Sequence, residues 1–100
     1  GEDLHSLARR WRNRIAFLHF RDIVGTREDF RETFHDNGPT DMAAMIRVYG
    51  ELGMDVPIRV DHVPTLAGEE NIESGYAALG RLYAIGYLRG LCEAAGVALR

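Results

Sequence analysis

Two short stretches of this sequence carry residues that could do chemistry. Val56-Pro57-Ile58-Arg59-Val60 is apolar-flanked and leads directly into Asp61 and His62, with Pro64 and Gly68 soon after. Ile15-Ala16-Phe17-Leu18 runs in the same way into His19, Phe20, Arg21 and Asp22, and Gly25 follows. Each reads as a buried strand that ends by presenting polar side chains and then turns into a loop. An imidazole and a carboxylate suit Mn²⁺, Fe²⁺ or Zn²⁺ when the site is partly open to water or substrate. Two such ligands are too few for a tight site, so others must come from elsewhere. Neighbours along a strand face opposite ways, so Asp61 and His62 share a side only if the strand has already ended. One could then hold a metal while the other acts on a substrate. Arg21 offers a planar fork of donors suited to a carboxylate.

Each of these residues also has a structural reading. A strand-end His is commonly a hydrogen-bonded framework residue. Asp61 can order the loop that follows it. Arg21 and Asp22 can form an ordinary ion pair. His35, in the turn cluster His35-Asp36-Asn37-Gly38-Pro39, can approach a substrate or simply bond locally. Tyr76 follows Ser74-Gly75 at the start of a long apolar segment. Its phenol could donate or accept a proton there, or it could be a core aromatic. His5 belongs to a surface helix.

The elements that must position these groups follow from the pattern. Leu4, Leu7, Ala8 and Trp11 recur at helical spacing after Glu2-Asp3, with Arg9, Arg10 and Arg12 on the solvated side. Thr26-Arg27-Glu28-Asp29 has the form of a capping box, which predicts a short helix through Phe30 or else an ordered loop to Phe34. Thr40 or Asp41 caps a helix carrying Met42, Met45, Ile46, Tyr49 and Leu52, and Gly53 stops it. The methionines read as core filler. Residues 63–71 read as loop. Ser74 is placed to cap a final helix from about Gly75 to Ala95. Its broad apolar set predicts burial on more than one side. Gly80, Gly86 and Gly90 each weaken that helix by about 1 kcal/mol relative to Ala, which suggests close approach of another backbone. Cys92 reads as a small buried hydrophobe.

Composition narrows the class. One hundred residues suffice for one small domain. The net charge of −3 is spread along the chain and argues against a nucleic-acid partner. All 12 basic residues are Arg, so neither a P-loop lysine nor a Schiff-base lysine is present. No apolar run is long enough to span a membrane. The single Cys92 fits a reducing, cytoplasmic setting. The chain opens at Gly1 in mid-pattern, which suggests a piece of a longer protein. Strands separated by helices imply parallel pairing. Two apolar strands cannot make a stable sheet alone. The economical fold is therefore α/β, part of a (β/α)₈ barrel of about 250 residues or more, incomplete in this chain. Residues 1–100 would supply βα units of that single domain. Active groups in such barrels sit at the C-terminal ends of the strands, where His19, Arg21, Asp22, Asp61 and His62 lie.

Several linked motifs, in order, resemble a known family. His19-Phe20-Arg21-Asp22, Phe30-Arg31-Glu32-Thr33-Phe34-His35-Asp36, Gly38-Pro39-Thr40-Asp41-Met42, Arg59-Val60-Asp61-His62, Gly75-Tyr76 and Gly80-Arg81 look like the C-terminal part of mannonate dehydratases. Val60 stands where Pro is more usual in the family. The resemblance implies a xylose-isomerase-like TIM barrel that removes water from D-mannonate, giving 2-keto-3-deoxy-D-gluconate in hexuronate (glucuronate) breakdown, with Mn²⁺ or Fe²⁺. It implies His19 and Asp61 as metal ligands, and His62 and Tyr76 as the acid and base in undecided order. The family's remaining ligands, a His and a Cys, come from earlier strands, and Cys92 does not match that Cys. The chemistry of Arg21 and His35, apart from the resemblance, suggests that they contact the substrate. A sugar isomerase or epimerase of the same barrel type, and a non-catalytic barrel fragment, remain alternatives. Association into a homo-oligomer is left open.

Overall fold

A computed structural model describes residues 3–69 and 77–99. Helix α1 spans Leu4–Trp11, and the Asp3 carboxylate caps it by accepting from the His5 and Ser6 amides. A 3₁₀ turn at Arg12–Arg14 leads on to strand β1, Leu18–Phe20. Strands β2 (Asp22–Gly25) and β3 (Phe30–Thr33) follow. Then come α2 (Met42–Glu51), β4 (Ile58–Val60) and α3 (Ala78–Ala94). None of the described helices is long and apolar enough to cross a membrane.

β1 and β4 pair in parallel, with Leu18 opposite Ile58, His19 opposite Arg59 and Phe20 opposite Val60. The alternation of the pleat divides their side chains. Leu18, Phe20 and Val60 enter a core with Met42, Met45 and Ile46 of α2 and Ala84, Leu88 and Cys92 of α3. His19 and Arg59 stand on the other face, which is exposed along with Phe17. The two strands are therefore covered by helices on one face. The regular strands are shorter than the apolar runs: residues 15–17 and 56–57 lie outside them.

The short helix through Phe30 is not formed. β2 and β3 make an antiparallel hairpin, with Asp22 opposite Thr33 and Gly25 opposite Phe30. The Thr26 hydroxyl accepts from the Asp29 amide at 3.2 Å, and the Thr26 amide donates to the Asp29 carbonyl at 2.8 Å. The side-chain bond that would start a helix instead closes the loop of the hairpin, because these four residues join two strand-forming runs. Gly25 sits at φ 126°, and a Cβ there would lie 2.3 Å from the Asp29 carbonyl oxygen.

α2 forms as its pattern predicts. Asp41 is its cap, accepting from the Ala44 amide at 2.8 Å, while Thr40 is used elsewhere. Gly53 ends it at φ 63°, in the left-handed region that glycine favours.

α3 differs from expectation in three ways. It starts at Ala78 rather than near Gly75, with an extended, side-chain-uncapped Ala77 ahead of it; Ser74 and Gly75 lie outside the described residues. It buries one stripe, Gly80, Ala84, Leu88 and Cys92, while Leu79, Leu82, Tyr83 and Ile85 are exposed. The broad apolar surface is not covered by the described elements. Among the described residues, only Gly80 of its glycines meets another backbone, since a Cβ there would lie 2.5 Å from the Pro64 carbonyl oxygen; no described residue lies against Gly86 or Gly90.

Candidate active site

The parallel pair ends where the polar residues begin. The Asp61 amide donates to the Phe20 carbonyl at 2.9 Å, adding one ladder bond beyond β4. Asp61 follows Arg59 by two, so the pleat carries it to the side of Arg59 and His19. The ladder ends with that bond, so His62 is free of strict alternation. His62 Nε2 lies 3.8 Å from an Asp61 carboxylate oxygen, and both residues are partly exposed. Arg81, in the first turn of α3, donates to the Val60 carbonyl at 3.4 Å and ties that helix to the same strand end.

The hairpin closes the site from one side. Arg21 donates from Nε to Glu32 at 3.1 Å and pairs through Nη2 with the other oxygen of the same carboxylate. Its guanidinium also lies 5.4 Å from the centre of the Phe30 ring. The Glu32 oxygen that meets Nη2 lies 3.6 Å from His62 Nδ1. That distance is an ion-pair approach and exceeds a hydrogen bond. Arg21, Glu32, His62 and Asp61 thus form one chain of polar contacts across the ends of β1, β3 and β4.

Glu32 was not a candidate from the residue types alone. A single strand Glu resembles a solvated face. The available clue is the run Asp22-Ile23-Val24-Gly25 followed by Phe30-Arg31-Glu32-Thr33, two strand-like segments joined by a short turn. Recognising the hairpin would have placed Glu32 opposite Ile23, next to Arg21.

The other sequence-derived residues fall as follows. His19 is exposed on the uncovered face, 4.9 Å from Phe17 between ring centres. Asp22 does not pair with Arg21. It is 5 % exposed and accepts from the Thr40 amide at 2.8 Å, the Thr40 hydroxyl at 2.9 Å and the Ile23 amide at 3.1 Å. It anchors the turn after the hairpin, and Gly38 packs directly on it. His35 is 2 % exposed and its Nε2 donates to the Phe20 carbonyl at 2.7 Å. Its Nδ1 is buried with no hydrogen-bond partner among the described residues. Tyr76 lies outside the described residues.

Two cavities accompany this arrangement. One of about 280 Å³ is lined by Arg21, Asp22, Ile23, Arg27 and Phe30. A larger one, about 860 Å³, runs along β4 and α3 past Ile58, Val60, Ile85 and Leu88. None of the described candidate residues lines the larger cavity, and among the described residues β4 pairs with β1 alone. Its walls are apolar along most of their length, with Asp55, Arg59, Arg81 and Arg89 among them, and they mark an uncovered sheet edge.

As ligands, His19 and Asp61 offer an imidazole nitrogen and a carboxylate oxygen on adjacent parallel strands, a donor pair that fits Mn²⁺ or Fe²⁺. They are a partial set, since no group of three His, Cys, Asp or Glu suited to a metal occurs among the described residues.

Comparison with known proteins gives the family of the chain. The D-mannonate dehydratase (UxuA) family model matches residues 1–99. A mannonate dehydratase of Rhizobium meliloti is 32% identical over 107 residues, covering 91% of this chain and 27% of that protein. Mannonate dehydratase 2 of Halalkalibacterium halodurans is 34% identical over 99 residues, covering 94% of this chain and 28% of that protein. The crystal structure of mannonate dehydratase from Streptococcus suis serotype 2 superposes with a TM-score of 0.83 at 29% identity, over 93% of this chain and 28% of that one. The chain spans about a quarter of the length of the curated relatives it matches. Sequence match and shared fold agree over nearly every residue, and the chain belongs to the D-mannonate dehydratase family.

Proposed function

We propose that this chain is the C-terminal part of a (β/α)₈ barrel whose assembled form removes water from D-mannonate, giving 2-keto-3-deoxy-D-gluconate in hexuronate breakdown in the cytoplasm. The observation that carries the reading is the meeting of Arg21, Glu32, Asp61 and His62 at one end of a parallel strand pair in a chain of this family. The parallel strands on either side of α2, the exposed face bearing Phe17, His19 and Arg59, and the open edge of β4 all suit a sheet continued by further strands.

In this reading His19 and Asp61 would hold Mn²⁺ or Fe²⁺, with the remaining ligands supplied by other strands. When bound, the metal would stabilise the charge that develops as a proton leaves the carbon beside the substrate carboxylate. His62 and Tyr76 divide the two proton transfers: one takes that proton and the other gives a proton to the departing hydroxyl. Arg21, held in place through Nε and Nη2 by Glu32 and by the Phe30 ring, turns its remaining N–H donors to the substrate carboxylate. His35 supports the site by holding the Phe20 carbonyl; direct contact with substrate requires its buried ring to be uncovered.

The test is a pair of substitutions in an intact enzyme carrying this segment. Asp61→Ala should lower metal content, and His62→Asn should keep the metal while abolishing turnover. Wild-type metal content and activity in both variants would remove the assignment.

A further inference from the structure

We infer that Glu32 is a positioning residue for His62, a role that rests on the dehydratase reading above. Three observations support it. The Glu32 carboxylate is clamped by Nε and Nη2 of Arg21, which fixes both of its oxygens. One of those oxygens faces His62 Nδ1 at 3.6 Å. The Glu32 side chain is largely shielded, at 14% exposure, so its charge is poorly screened by solvent.

The register of the hairpin explains how Glu32 comes to be there. Ile23 opposite Glu32 fixes the position of that residue along β3, and the turn at Thr26–Asp29 fixes the register. The Glu32 side chain then crosses from the hairpin to the end of β4, thirty residues later in the chain.

A carboxylate facing Nδ1 favours the tautomer and ring rotation that direct the Nδ1–H toward it. It holds the imidazole plane in one orientation while substrate binds. Carboxylates that orient a metal-bound imidazole commonly account for a factor of about 10 to 100 in metal affinity or activity, and the same scale is taken here for the orientation of His62. Arg21 acts one step further out. Its bidentate clamp keeps the carboxylate from rotating toward solvent. The Phe30 ring under the guanidinium limits the movement of Arg21 in turn.

The experiment uses an intact, metal-loaded enzyme carrying this segment, with Glu32→Ala and Glu32→Gln. Glu32→Ala should lower kcat by about 10- to 100-fold with KM and metal content near wild type. Glu32→Gln keeps the shape and an acceptor oxygen, so it should recover much of that loss. Ring ¹⁵N chemical shifts of His62, recorded on enzyme loaded with diamagnetic Zn²⁺ and where the imidazole is neutral, should show mainly Nδ1–H in the wild type and a mixture of tautomers in Glu32→Ala. An unchanged kcat in Glu32→Ala, or unchanged His62 shifts, would overturn the role. A loss of metal that accounts for the loss of activity would also overturn it. A wild type that binds metal but does not dehydrate D-mannonate would defeat the parent reading instead, and the ¹⁵N shifts would still decide whether Glu32 orients His62.

Discussion

His35 and Asp61 share a single acceptor, the carbonyl of Phe20. The imidazole donates from Nε2 at 2.7 Å and the Asp61 amide at 2.9 Å. This one oxygen joins the buried turn after the hairpin to the position where β4 gives way to the site. Replacing His35 by Ala removes a buried ring and a hydrogen bond together. It should destabilise the folded protein by about 2–4 kcal/mol, measured by urea unfolding. A cost below about 0.5 kcal/mol would show that the ring is not holding the end of β1.

Asp22 and Gly38 make a second joint. A Cβ at Gly38 would lie 2.1 Å from an Asp22 carboxylate oxygen and 2.6 Å from the Thr33 hydroxyl. Gly38→Ala should therefore cost about 1–3 kcal/mol through forced displacement. Asp22→Ala should cost about as much, because the Thr40 amide and hydroxyl lose their acceptor. Unfolding midpoints of the two variants check this, and wild-type midpoints in both would contradict it.

Glu69 caps α3 from outside the helix. Its buried carboxylate accepts from the Leu79 amide at 2.6 Å and from the Leu66 amide at 3.0 Å. Ala77, at the cap position, provides no side-chain bond of its own. Glu69→Ala should cost about 1–2 kcal/mol, and hydrogen exchange at Leu79 should speed up. Unchanged exchange at that amide would reject the cap.

Cys92 gives a dependence on pH. Burial among Ala84, Leu88 and their neighbours raises its thiol above the ordinary range. The unfolded chain therefore loses this proton first as pH rises. The thiol's contribution is complete below its ordinary value of about 9 and is lost as pH climbs through the raised folded value. At pH 8 a thiol reagent should react slowly with the folded protein and rapidly after addition of urea. Equal rates would show the thiol to be accessible.

Much of this arrangement is legible from local pattern. The first helix, the helix capped at Asp41, the two apolar strands and their parallel pairing follow from spacing and from the helices between them. The hairpin is not legible from Thr26 and Asp29, because a hydroxyl accepting from an amide three residues later serves a helix start and a turn equally. Gly86 and Gly90 differ from Gly80 for a related reason: among the described residues only Gly80 is pressed by another backbone, and a helical glycine carries no mark of what lies beside it. Glu32 escaped notice because its importance comes from Arg21 and His62, eleven residues before it and thirty after it. Asp61 and His62 stood out because a strand running into an acid and an imidazole is a local feature. The partner that fixes the imidazole is a property of the folded chain.

The most direct measurement is a product assay on D-mannonate with Mn²⁺, using an intact protein that carries this segment. The account predicts loss of water and accumulation of a 2-keto-3-deoxy acid. Conversion to an isomer of unchanged formula, or no consumption of D-mannonate by the folded, metal-bound protein, would contradict it.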